Sequence, residues 1–331
     1  MKKMYGFIAG LVILLIIAFV TENNKMDQEQ KENDIPKVGI LQLMSHPSLD
    51  EIYQGFIAGM EEEGLVDGKT VHLTLQNAQG DQSNLKTMSE QFSQEPVDAM
   101  VGIATPSAQA LANASKNIPI ILGAVSDPEG AGLVTNNQTP GGNITGVSDL
   151  TPIKEQIELL KQLMPAAKKV GILYTSSEDN SYLQAQDAEK ELKAQGLEPI
   201  TMTITSTNDI RQNATTLASQ VDAIYVPADN TIAGAMPTLI EITDAAQIPV
   251  FPAVESMVED GGLATIGLNQ YELGILTGRM TAKMIKGELK PATTPIEYLK
   301  QGTIVLNQKQ AKKLGIKIPQ EIIEKIERSA D

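Results

Sequence analysis

The pentapeptide Lys37-Val38-Gly39-Ile40-Leu41 returns as Lys169-Val170-Gly171-Ile172-Leu173, an offset of 132 residues (Lys37 to Lys169). Each copy is a short apolar run, which reads as a strand buried on both faces. The same offset carries Gly64-Leu65 onto Gly196-Leu197. Asp98-Ala99 matches Asp222-Ala223, each before an apolar run. Ile118-Pro119 leading to Ala124-Val125 matches Ile248-Pro249 leading to Ala253-Val254. Four matches in one order, with a slowly drifting offset, read as a duplicated domain.

Each copy alternates strands with helices. In the first, 38–43 reads as a strand, and 50–63 carries Ile52, Phe56 and Met60 on one helix face before Gly64 ends it. Val71, Leu73 and Leu75 alternate with His72 and Thr74 as a second strand, which leaves His72 outward. Residues 99–103 and 119–124 supply two more strands. The second copy repeats this with strands at 170–174, 199–204, 223–226 and 250–253, and a helix running to Ala194. The expected fold is α/β: two doubly wound parallel-sheet lobes. Pro140-Gly141-Gly142-Asn143 precedes the change of lobe, and Gly261-Gly262 opens a short strand to Gly267. A helix at 271–286 follows, with Leu273, Leu276, Met280 and Met284 inward, then a strand at 303–306. A basic helix with a solvated face (Lys309, Lys312, Lys313, Lys317) closes the chain. Residues 36–149 and 269–290 are assigned to lobe 1, and 150–268 with 291–331 to lobe 2, joined by three crossovers.

Ahead of the body, Lys2 and Lys3 precede an apolar run over 4–20, and a polar stretch follows from Glu22 to Asn33. Residues 1–35 therefore read as an N-terminal membrane anchor or signal followed by a tether. Ala18-Phe19-Val20 makes a poor cleavage site, which favours an uncleaved anchor. The body is expected to be extracytoplasmic, at the cell surface, or secreted if the anchor is cut.

Composition narrows the chemistry. The 331 residues carry 41 acidic and 26 basic side chains, a net charge of −15. That excess argues against a nucleic-acid surface and for a self-repelling body, expected to be a monomer. No cysteine is present, which excludes disulfides, thiolate nucleophiles, iron–sulfur clusters and cysteine zinc sites. His46 and His72 are the only histidines, too few for a histidine-rich metal centre. The sequence lacks G-x-S-x-G, a P-loop, H-E-x-x-H and a G-x-G-x-x-G after a strand. Neither catalytic residues nor a cofactor is expected. A hydrolase working through Asp229 and Glu255 stays open by residue type alone.

In open parallel sheets, ligands collect beyond the carboxyl ends of the strands. Those loops are hydroxyl-rich in lobe 1: Ser45 and His46, then Thr105, Pro106 and Ser107, then Ser126 and Asp127. In lobe 2 they carry carboxylates and amides: Ser176 and Asn180, then Asp229 and Asn230, then Glu255. Thr105 and Ser107 open a helix and are placed to receive a carboxylate, with Ser126 beside them. Capping that helix is the alternative role, and the two are compatible. Asp229 and Glu255 are placed to meet an ammonium, unless they too only cap. A small molecule with both charges is a free amino acid. Seven tyrosines, five phenylalanines and no tryptophan occur. Tyr53, Tyr174, Tyr182, Tyr225, Phe251, Tyr271 and His46 lie near the cleft-facing ends. They suit stacking on an aromatic ligand, with core packing as the alternative for Tyr174, Tyr225 and Phe251.

Five stretches together carry a family resemblance. They are Gly-Ile-Ala-Thr-Pro-Ser-Ala-Gln-Ala (102–110), Val-Ser-Asp-Pro (125–128), Gly-Asn-Ile-Thr-Gly-Val-Ser (142–148), Lys-Val-Gly-Ile-Leu-Tyr (169–174) and Pro-Ala-Asp-Asn (227–230). From Pro36 onward the chain resembles the extracytoplasmic solute-binding proteins of ABC importers with the type I periplasmic-binding fold. It is most similar to the group associated with tryptophan or other aromatic amino acids. The resemblance implies a receptor that passes an amino acid, tryptophan foremost, to an ABC permease in the membrane. Many relatives carry a lipobox cysteine; its absence here bears on anchoring and leaves binding untouched. A sensor serving a membrane signalling partner is the other function of this kind.

Overall fold

The computed structural model describes residues 35–299 and 302–329. Lobe 1 is built from β1 (Lys37–Gln42), α1 (Pro47–Glu62), β2 (His72–Asn77), α2 (Gln82–Gln94), β3 (Ala99–Ile103), α3 (Thr105–Ala114), β4 (Ile120–Gly123) and β5 (Ile144–Ser148). Lobe 2 follows with α4 (Ile153–Leu163), β6 (Lys169–Thr175), α5 (Asp179–Ala194), β7 (Glu198–Ile204), α6 (Ile210–Ala218) and β8 (Ala223–Val226). It continues with α7 (Asn230–Ala233), α8 (Met236–Ala245), β9 (Val250–Pro252), α9 (Glu255–Glu259) and β10 (Ala264–Gly267). The chain then returns to lobe 1 with α10 (Gln270–Ile285) and β11 (Glu297–Tyr298). It ends in lobe 2 with β12 (Thr303–Leu306), α11 (Gln308–Lys313) and α12 (Gln320–Ser329).

The two central sheets share one winding. Lobe 1 orders its strands β2-β1-β3-β4-β5-β11 and lobe 2 β7-β6-β8-β9, every pairing parallel. The repeated residues do the same work in both. Gly39 and Gly171 sit where a Cβ would stand 2.7 Å from the Phe92 ring and 2.8 Å from Leu217. Their missing side chains let α2 and α6 press onto the sheet. The Asp98 carboxylate accepts from Lys37 N at 2.8 Å, and that of Asp222 from Lys169 N at 2.9 Å, each pinning the start of a central strand. Gly64 and Gly196, at φ 80° and 78°, end α1 and α5 with the same paired backbone bonds.

Two apolar cores match the two sheets: one gathers residues 38–147 with 268–296, the other residues 153–264 with Ala311 and Ile322. Four details depart from expectation. Residues 291–299 belong with lobe 1, because β11 adds an edge strand to β5 and Ile296 enters that core. The β10–β12 ribbon is antiparallel. Leu75 is 39% exposed, because β2 is an edge strand with little packed over it. Leu276 is only partly buried, since α10 turns glycines toward its neighbour. The anchor and tether expected over 1–34 lie outside the described residues. Among the described residues, no helix is long and apolar enough to cross a membrane.

Candidate functional site

Parallel winding points strand ends, and the helices that follow them, at one place. A cavity between the lobes is lined at the start of α1 by His46, Ser48 and Leu49, and at α3 by Ala104 and Thr105. Asn180 of α5, Asp229 and Asn230 of α7, Val254 before α9 and Gln270 of α10 complete the ring of helix N-termini. Ala124, Ser126, Asp149, Ala228 and Ala233 fill the remaining wall. The atom-free space is about 390 Å³, yet the centre of a water-sized sphere has only about 30 Å³ to move in. The lobes are closed around a narrow slot. His46 Nε2 meets Asn230 Oδ1 at 3.2 Å, Ser48 Oγ bonds Ser256 Oγ, and Gln109 Nε2 donates to Asp179 Oδ2 at 2.8 Å, all between lobes.

Two backbone features mark the lobe 1 wall. Ala104 and Ala124, at the ends of β3 and β4, hold φ of 75° and 55°, conformations costly for a residue with a Cβ. Neither α1 nor α3 has a side-chain cap, and each carries a proline in its first two positions, so the other first-turn N–H groups stay available beside the slot. Free N–H groups at a helix start are suited to an anion.

The expected site residues divide. His46, Thr105, Ser126, Asn180, Asp229 and Asn230 share the cavity. Six others do not line it. Ser45 is exposed and its Oγ donates to Asp50 at 2.6 Å. Pro106 faces a wider surface groove of about 630 Å³. Ser107 is fully buried, its hydroxyl without a partner. Asp127 accepts from Gly130 N at 2.8 Å and pins a turn. Ser176 is exposed and bonds Ile204 O. Glu255 lies over Gly267 and accepts from Thr303 Oγ1 at 2.9 Å, against the β10–β12 ribbon. Each residue stands in the expected loop with its side chain directed elsewhere than the slot.

Sequence reading missed three contributors. Ser48 is the second residue of α1. Glu178 holds the loop over α7: its Oε1 accepts from Thr231 N (2.9 Å) and Thr231 Oγ1 (2.8 Å), its Oε2 from Asn230 N (3.1 Å) and Asn230 Nδ2 (2.6 Å). Asp149 lies where the chain leaves lobe 1, and its partial exposure is to the cavity. Among the described residues, Ser126 Oγ, at 2.8 Å from Oδ1, is the one side chain donating to its carboxylate. Its signal in the sequence was position alone, directly after β5.

Asp229 differs from Asp149 in having both carboxylate oxygens engaged. Oδ1 accepts from Thr175 Oγ1 and Ile232 N, both at 2.8 Å, and Oδ2 from Thr175 N at 2.6 Å. It caps α7, the alternative its sequence position allowed. Asn180 Nδ2 donates to Ala228 O at 2.8 Å, which turns Oδ1 the other way, buried and without a partner. The aromatic side chains do not wall the slot. Tyr225 and Phe251 are core residues, Tyr225 OH donating to Gln156, and Tyr174 rests on Tyr182 outside. Among the described residues, the imidazole of His46 is the one ring lining the cavity.

Burial governs the titration of these groups. It holds Asp149 above the usual carboxylate range, and Glu255 and Glu51 likewise. Asp229 is pushed up to about 7, by burial first and by neighbouring Glu178 second, against its three donors. A carboxyl with a raised folded pKa stabilises the fold fully below its unfolded pKa, near 4, and loses that contribution as pH rises through the folded value. Burial lowers the pKa of His46, which opposes this trend with one group against four. Carboxylates held low by backbone donors, such as Asp222, finish titrating below pH 5. The ligand-free protein is therefore expected to melt at a higher temperature at pH 5 than at pH 7.5. Scanning calorimetry showing the reverse order would refute the buried-carboxyl account.

Comparison with known proteins agrees with this architecture. Residues 37–329 match the family described as ABC transporter substrate binding protein. A tyrosine-binding protein of Clostridioides difficile (strain R20291) is 36% identical over 295 residues, 89% of this chain and 84% of that one. An ABC domain from Streptococcus pneumonia, solved in complex with L-Trp, is 45% identical with a TM-score of 0.86, covering 88% of this chain and 98% of that one. The ligand-free, open structure of CD0873 from Clostridium difficile, a substrate-binding protein with adhesive properties, is 37% identical. It reaches a TM-score of 0.67 over 86% and 97% of the two chains. With two doubly wound lobes closed on one slot and a family match over almost all the described residues, this chain belongs to the ABC transporter substrate-binding proteins.

Proposed function

We propose that this protein is the extracytoplasmic receptor of an ABC importer and binds a free aromatic amino acid, tryptophan or tyrosine, between its lobes. One observation carries the reading: a slot with uncapped helix N-termini on one wall and an underused buried carboxylate on another fits a zwitterion. The ligand carboxylate caps α1 and α3 beside Thr105. Its ammonium meets Asp149, with Asn180 Oδ1 as a second acceptor. The ring lies among Leu49, Ala104, Ala124, Ala228, Ala233 and Val254, where four alanines keep the wall low. This replaces the expected wall of aromatic side chains.

The relatives support the ligand class, since one was solved with L-Trp and another is described as tyrosine-binding. Overlap is better with the L-Trp complex than with the open, ligand-free structure, which supports reading the present conformation as the closed state. Binding to an open form and closure over the ligand exclude water and strengthen each polar contact. The closed form is then what a membrane permease recognises, a population shift set by ligand. The receptor acts as a monomer, held at the membrane by residues 1–35.

The test is calorimetric titration with the twenty amino acids, together with small-angle scattering. L-Tryptophan or L-tyrosine is expected to bind, reduce the radius of gyration, and at about 100 times Kd stabilise the fold by about 2.7 kcal/mol. Absence of heat and of any thermal shift with all twenty would overturn the proposal.

A further inference from the structure

One residue lining the slot, His46, keeps a ring nitrogen that neither the protein nor the zwitterion uses. His46 is 7% exposed, and its Nδ1 is buried with no partner among the described residues. The state of that nitrogen is fixed by a chain of contacts starting in the other lobe. Glu178 Oε2 accepts from Asn230 Nδ2 at 2.6 Å, and a carboxylate beside an amide requires the NH2 end to face it. Asn230 Oδ1 therefore faces His46 Nε2, at 3.2 Å. A carbonyl oxygen can only accept, so Nε2 carries the proton. Burial keeps the ring neutral, against the pull of Glu178 and Asp260 from lobe 2 and Asp50 from its own helix. A neutral imidazole protonated at Nε2 has a bare lone pair at Nδ1.

We propose that His46 is a specificity-determining residue, its Nδ1 accepting a hydrogen bond from the ligand's ring, so that the site selects aromatic amino acids carrying an indole N–H or phenol O–H. This rests on the amino-acid reading above and adds the basis of its selectivity. An unfilled buried acceptor is costly, and a site built to bond a donor rejects analogues lacking it. Because His46 and Asn230 lie in different lobes, the tautomer is imposed only on closure. The side chain is read when the lobes shut.

Two isosteric pairs test this on the full-length protein by calorimetry at pH 7.5. They are L-tryptophan against 3-(3-benzothienyl)-L-alanine, in which sulfur replaces the N–H, and L-tyrosine against L-phenylalanine. Loss of the donor is expected to weaken binding at least tenfold in each pair that binds, and the gap should shrink below threefold in His46→Leu. Lowering the pH until the imidazole protonates should narrow the gap in the wild type. Nitrogen-15 spectra, simple with two histidines, should show the Nε2–H tautomer for His46 in the tryptophan complex; they decide the matter even if His46→Leu does not fold. Equal affinities within a pair, a gap unchanged by His46→Leu, or an Nδ1–H tautomer would overturn the inference while amino-acid binding stands. If no member of either pair binds, the amino-acid reading fails and this inference with it.

Discussion

Replacing Asp149 with asparagine is expected to lower the affinity for L-tryptophan by about 100-fold or more, while the melting temperature of the empty protein holds or rises. The two effects have one cause. Burial makes the charged carboxyl costly, and among the described residues Ser126 alone donates to it from a side chain. In the proposed binding mode the ligand's ammonium supplies the missing counter-charge. Removing one member of a buried, hydrogen-bonded charge pair costs roughly 2–5 kcal/mol. Without ligand, the neutral isostere keeps an oxygen for Ser126 and loses the desolvation cost. Asp229→Asn should behave in the opposite way. An NH2 group there would face donors from Thr175 or Ile232, so the fold should weaken by about 1–3 kcal/mol. Calorimetry and thermal melts of the two variants separate the carboxylate that holds ligand from the one that holds the loop. Tryptophan binding by Asp149→Asn within threefold of wild type would remove Asp149 from the site.

Gly274→Leu is expected to prevent folding or to destabilise the protein by more than about 4 kcal/mol, beyond ordinary overpacking. Helices α1 and α10 lie parallel, each with two glycines four residues apart. A Cβ on Gly55 or Gly59 would stand 2.1 Å from Tyr271 O or 2.2 Å from Ile275 O. On Gly274 or Gly278 it would stand 2.2 Å from Ile52 O or Phe56 O. These obstacles are backbone, so no side chain can rotate away; the helices must separate. Small residues at that spacing let backbones touch and form Cα–H···O contacts. Both helices deliver cavity residues from their N-termini, His46, Ser48 and Leu49 from one and Gln270 from the other. Binding should fail together with stability. Gly142→Ala is the control, since a Cβ there meets nothing within 4 Å, and it should stay within about 0.5 kcal/mol. Urea unfolding of both variants is the measurement; a Gly274→Leu midpoint near wild type would show that the helices can part cheaply.

Much of the architecture was legible because its signals are local. Gly39 and Gly171, Asp98 and Asp222, Gly64 and Gly196 act within one strand–helix unit, so duplication left them in register. The cleft was legible too, since parallel winding sends every loop of one kind to the same side. Individual side chains were not. Ser45 and Ser176 occupy the expected loops and still face outward, because a loop has no periodicity from which direction can be read. The small residues of α1 and α10 show a spacing, but nothing in it names the partner helix some 220 residues away.

The amino-acid sequence alone determined a twice-built α/β chain, the cleft at its strand ends and its binding-protein family. Those follow from burial periodicity, from composition and from repeated motifs, each confined to a few neighbouring residues. Tertiary structure alone decided that one oxygen of Asp149 receives no side-chain donor among the described residues while both oxygens of Asp229 already accept, and that Glu178 reaches His46 through Asn230. These depend on which donors arrive from distant segments when the lobes meet, and hydrogen bonds have direction that hydrophobic patterning does not encode.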